Sequence, residues 1–144
     1  MASPNGALKR GIPFLLLLLV SLSGFLGGCG STEEESRSEE LTAKATKLVE
    51  SMIAGDFSTA TENFDTVMKD AFPSDKLEDA LNSLVSQVGA FQKQTGTHIE
   101  ETEEYLIVYV TCEFENSIMD IKVVFNAENQ VAGLFFVPAT GSTE

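Results

Sequence analysis

Two cysteines and a single histidine are the whole stock of thiol and imidazole groups in the 144 residues. That scarcity excludes a good deal. His98 has no second histidine and no thiol close to it, and no His-x-x-x-His pair, paired-cysteine motif or glycine-rich phosphate loop occurs. No metal and no cofactor is therefore expected. Serines are plentiful, but none sits in the strand-to-helix elbow that activates a nucleophile, and a Ser–His–acid triad would have to draw on His98. Basic residues are also few, nine against 22 acidic ones, for a net charge of −13. Without a basic stripe to neutralise phosphates, nucleic acid is excluded as a partner and anionic headgroups are poor ones.

Acidic residues are missing altogether before Glu33, and there the chain is of a different kind. Lys9 and Arg10 precede an apolar run over residues 12–20, which continues through Leu22, Phe25 and Leu26. The length and flanks are those of a signal peptide over residues 1–28. The alternative is a retained transmembrane helix, but the uninterrupted run is about half of the roughly 20 residues that a span requires. Leu26-Gly27-Gly28-Cys29 resembles the lipobox of bacterial and archaeal lipoproteins, an aliphatic residue and two small ones before the lipid-bearing cysteine. The resemblance implies cleavage before Cys29 and membrane lipid attached to its sulfur, on the extracytoplasmic face. Two or more acyl chains, at about 0.8 kcal/mol per buried CH₂, hold a protein firmly to a bilayer. Loss of Lys9 and Arg10 would make the mature chain more acidic still. Cys112 would then be the only free thiol. It lies in an apolar strand pattern and reads as a small buried hydrophobe.

Residues 29–40 carry no apolar side chain after the cysteine and are expected to be a flexible acidic tether, roughly 35 Å long if extended. The single folded domain is expected over residues 41–138, with a frayed tail at 139–144. Leu41, Ala45, Leu48, Val49, Met52 and Ile53 recur at helical spacing, and Gly55 ends that helix. Asp56 is placed to cap a second helix with Phe57, Ala60, Phe64, Val67 and Met68 on its apolar face. After Pro73, Ser74 or Asp75 caps a third, which buries Leu77, Ala80, Leu81, Leu84, Val85 and Val88 and stops at Gly89.

The rest of the chain alternates at period two. Residues 91–101 form a weak first strand and residues 105–114 a strong second. Leu106, Val108, Val110, Cys112 and Phe114 share one face of that second strand. Met119, Ile121, Val123 and Phe125 face one way in the third strand, and residues 131–137 make the fourth, ended by Pro138. Helices followed by a strand meander give an α+β layout. The second sheet face is unusually apolar, with Tyr105, Ile107, Tyr109, Val124, Phe135 and Val137 on it. Either the sheet curls around a pocket or that face meets a partner.

Four segments, Ala54-Gly55-Asp56-Phe57, Gly89-Ala90-Phe91, Val108-Tyr109-Val110-Thr111-Cys112-Glu113-Phe114 and Val131-Ala132-Gly133-Leu134-Phe135-Phe136, together resemble the domain of unknown function 3887 family. That family occurs in bacterial and archaeal secreted lipoproteins, sometimes ahead of an α/β-hydrolase domain. The likeness spans residues 41–138 and carries no chemistry of its own, and no hydrolase part is present here. It implies a fold like the nuclear transport factor 2 superfamily, with helices packed on a curved four-stranded antiparallel sheet in a cone.

Carboxylates are the remaining source of chemistry. Glu62 and Asp65, and the run of Glu100, Glu101, Glu103 and Glu104, read as a solvated face and a loop; Asp120 is expected to be exposed. The twelve-residue calcium-loop pattern is absent. Two classes of function stay open. One is a non-catalytic module binding a small apolar ligand, a peptide or an envelope protein through the apolar face, with a dimerising structural module as its variant. The other is a small hydrolase- or isomerase-type enzyme that uses the cavity of the cone.

Overall fold

Four helices precede four strands in the computed structural model, which describes residues 31–139. The expected signal peptide, the lipid attachment at Cys29 and residues 140–144 lie outside the described residues. Helix α1 spans Ser31–Ile53, α2 Phe57–Ala60, α3 Thr66–Ala71 and α4 Ser74–Val88. Strands β1 Phe91–Glu101, β2 Leu106–Phe114, β3 Ile118–Phe125 and β4 Val131–Pro138 follow.

α1 starts ten residues before Leu41, so residues 31–40, expected as a flexible tether, have helical backbone. Charge explains why a stretch with no apolar residue can do this. Glu33 and Glu34 sit in the first turn, where carboxylates offset the helix dipole, and Glu40 pairs with Lys44 one turn on at 2.8 Å. Arg37 then ties the segment to the sheet. Its Nε donates to Asn129 Oδ1 at 2.9 Å and its Nη2 to the Asn126 carbonyl at 3.3 Å.

The second expected helix is divided into α2 and α3. Asp56 caps α2 as anticipated, its carboxylate accepting from the Thr59 amide at 3.1 Å, and Asp65 caps α3 by accepting from Met68 at 2.7 Å. Between them Phe64 pairs with Val131 as an isolated parallel bridge, with the Asp65 amide donating to the Val131 carbonyl at 2.9 Å. Pairing to β4 interrupts the helix and swings Val67, expected in the core, to 74 % exposure. α4 has Pro73 at its cap position with no side-chain cap, so neither Ser74 nor Asp75 plays the capping part expected of them.

The core lies between the helices and one sheet face. Leu41, Ala45, Leu48, Val49 and Met52 of α1 and Leu77, Leu81 and Leu84 of α4 meet Val108, Val110, Cys112, Ile121, Val123 and Phe125. Each of the larger side chains contributes roughly 1.5–3 kcal/mol by leaving water.

The sheet is a meander in the order β1-β2-β3-β4, every neighbouring pair antiparallel. It is open, with β1 and β4 as edges, and it does not curl into the cone-shaped, nuclear transport factor 2-like form expected from the resemblance. The reason is economy of connection. Short turns pair each strand only with its sequence neighbours, and among the described residues no further strand bridges the edges. The described helices pack against one face of the sheet.

Candidate functional site

The uncovered face is built in cross-strand rows. Antiparallel register places Glu100, Ile107, Val124 and Gly133 in one row. His98, Tyr109, Lys122 and Phe135 form the next, and Gly96, Thr111, Asp120 and Val137 the one after. Five of the six residues picked out by alternation (Ile107, Tyr109, Val124, Phe135 and Val137) therefore share this face. Tyr105 stands apart, in the turn before β2. There its amide donates to Thr102 Oγ1 at 3.0 Å, and it lines a shallow cavity of about 160 Å³ with Arg37, Glu101 and Ala127.

The face is less uniformly apolar than its alternation suggests, because its middle row interleaves charges with rings. Tyr109 is the hub. His98 stacks on it with ring centroids 4.3 Å apart and planes 6° from parallel. Its hydroxyl donates to Glu100 Oε2 at 2.8 Å, and Lys122 Nζ lies 5.6 Å from its centroid on cation–π terms. The Glu100 carboxylate that accepts this hydroxyl, with partial burial, holds the phenol above its ordinary value, against the opposing pull of Lys122. Phe135, next to Lys122 in the row, is 53 % exposed, and its ring reaches across Gly133. A Cβ on that glycine would meet Phe135 Cε2 at 3.0 Å.

Asp120 departs from expectation. It is only 2 % exposed, and its Oδ1 accepts from the Thr111 hydroxyl at 2.6 Å. Behind it on the core side, burial and the Asp120 charge push the Cys112 thiol up to about 12. A thiol so disposed is a poor nucleophile, in accord with its reading as a core residue.

Other hollows lie among the helices. A polar cleft of about 570 Å³ is lined by Ser58, Thr61, Glu62, Lys69 and Ser74, and a smaller one of about 190 Å³ by Lys44, Leu48, Asn63 and Val131. The larger holds a carboxylate, an amine and several hydroxyls, and Thr61 Oγ1 and Ser74 Oγ lie 3.1 Å apart, but neither the Glu62 nor the Lys69 side chain is hydrogen-bonded to a hydroxyl there. Among the described residues, no three His, Cys, Asp or Glu side chains group to hold a metal, and no helix is long and apolar enough to cross a membrane. Alternation could not have found His98, Glu100 and Lys122 as neighbours of Tyr109. They join it only through the pairing register, and in β1 that register is shifted by irregularities on either side of Lys93 and Gln94.

Residues 45–134 match the model of the family described as "Protein of unknown function (DUF3887)". The chain belongs to this family. No curated protein and no solved structure matches it. The DUF3887 match runs from the middle of α1 to β4. It thus includes β2, β3, the cluster of His98, Glu100, Tyr109 and Lys122, and Phe64 with its bridge partner, while Phe135 and Val137 fall just past its end.

Proposed function

We propose that this DUF3887 domain is a non-catalytic, extracytoplasmic binding module, tethered to a membrane by lipid on Cys29, that docks a protein partner on its uncovered sheet face. The observation that carries this reading is Phe135, a large aromatic more than half exposed beside Lys122 and Tyr109 on a face that no described helix covers. Exposed aromatic and aliphatic groups rimmed by charge mark interaction surfaces on soluble domains. Ile118, also exposed at the start of β3, extends the apolar area. A flat, open face suits a macromolecule better than a small apolar ligand, which needs concave walls to bury most of its surface. The same consideration weighs against an enzyme. The one acid–tyrosine pair, Glu100 with Tyr109, stands on the solvent side rather than within a closed site.

Two experiments test the two halves. A Cys29→Ser variant of the full chain is expected to leave the detergent phase, and the wild-type mature N-terminus to carry diacylglyceryl by mass spectrometry; partition of the variant at full length would mean a retained helix instead. For the face, Phe135→Glu is expected to keep the fold and abolish association in solution. A dimer that dissociates in this variant would identify the partner as a second copy. Unchanged association would show that the face is not the interface.

A further inference from the structure

The helical start of α1 is tied by Arg37 to one end of the sheet. We infer that the sheet end formed by the β1–β2 and β3–β4 turns faces the lipid surface, held there by Arg37. This rests on the reading of Cys29 as the lipid-bearing residue. The chain from Cys29 to the first described helical residue, Ser31, is two residues long, and from Ser31 the helix continues without interruption to Ile53. Arg37 lies only six residues into it, about 9 Å along the axis at 1.5 Å per residue.

Arg37 connects the β3–β4 turn with the last residue of β1, at one end of the sheet. Besides Asn129 Oδ1 and the Asn126 carbonyl of the β3–β4 turn, its Nη1 lies 4.0 Å from Glu101 Oε1 at the close of β1. The turn it grips is preorganised. Asn126 Oδ1 accepts from the amides of Glu128 and Gln130, both at 3.0 Å, and Asn129 adopts φ 60, a conformation that asparagine tolerates well. Residues 32–36, ahead of Arg37, are exposed and carry helical backbone. A short helical arm pinned at this end would leave the lipidated residue little room to swing round to the β2–β3 turn. That turn lies the length of β2 away, about 30 Å for nine residues.

The end that would face the membrane carries Glu101, Glu103, Glu104 and Glu128, all exposed. Anionic headgroups would repel it across a Debye length of about 8 Å, so a zwitterionic surface is the fitting probe. In this orientation the bilayer lies off the end of the strands, and the uncovered sheet face stays free for a partner.

The orientation can be read without depending on lipidation in the cell. The isotope-labelled mature chain, residues 29–144, is coupled through the Cys29 thiol to a maleimide lipid in phosphatidylcholine nanodiscs that contain a gadolinium-chelating lipid. Cys112, buried and with its thiol held protonated, is spared by the reagent. Strong broadening of the amides at 101–105 and 126–130, with those at 115–117 spared, is the expected result. Equal broadening at both ends, or the reverse pattern, would overturn the inference. In Arg37→Ala the contrast between the two ends is expected to fall while the dispersed spectrum of the folded sheet persists; an unchanged contrast would remove Arg37 from its positioning role. Because lipid is supplied chemically, failure here leaves the anchor reading to its own mass-spectrometric test.

Discussion

At the scale of single residues, the uncovered face depends on one buried charge. Asp120 stands in a strand where alternation points it to water, yet Thr111 and the neighbouring rows leave it almost no exposure. A desolvated carboxylate needs its donors, and the Thr111 hydroxyl is the side-chain donor it has at 2.6 Å. Thr111→Val preserves shape and removes that donor, so urea melts should show a loss of about 1–3 kcal/mol. An unchanged midpoint would mean that water serves Asp120 equally well. Cys112, on the opposite side of β2, gives a pH signature. Its folded thiol titrates near 12 against an ordinary value of 9.0, because burial and Asp120 disfavour the thiolate. The unfolded chain therefore releases this proton first. The stability contributed is fully present below about pH 9 and is lost as pH rises towards 12. Cys112→Ala should flatten that alkaline decline in a series of melts, and Cys112 should resist thiol reagents until the domain unfolds.

At the scale of elements, the helices and strands differ in how far the sequence disclosed them. The core faces of β2 and β3 were legible, although Tyr105, read as the start of β2, lies in the turn before it and Asp120, read as exposed, is buried. Leu106, Val108, Val110, Cys112 and Phe114, with Met119, Ile121, Val123 and Phe125, all face the core as alternation requires. The break between α2 and α3 was not, because it is caused by Phe64 bridging to Val131, a partner 67 positions later that local periodicity cannot see. The helical course of residues 31–40 was hidden for the same reason, since its stabilising partner Asn129 lies 92 residues away. The uncovered face was half legible: its apolar members followed from period two, whereas the stacked His98 and the Glu100 bond to Tyr109 needed the register. Phe64 joins these elements, packing in the core while its backbone pairs with β4. Phe64→Ala should cost about 3–5 kcal/mol from lost transfer free energy and the cavity left behind. A loss under about 1 kcal/mol would show that α2, α3 and β4 are not coupled through it.

At the scale of the whole molecule, the open meander is what favours the proposed binding role over the others that composition left standing. A cone would have enclosed the surplus apolar groups around a ligand cavity. A sheet with helices on one side leaves Phe135 and Ile118 facing outward, next to a charged cluster, and that arrangement invites a partner. On the proposed reading, the net charge of −13 would oppose indiscriminate association and leave this patch as the site of contact. The most direct test installs a photo-crosslinking phenylalanine analogue at Phe135, and separately at the exposed Asn82 of α4, in the full chain expressed in its own host. A discrete protein adduct from position 135, absent from position 82 and diminished by Lys122→Glu, is the expected result. An absence of adducts at 135, or the same adducts from 82, would contradict it.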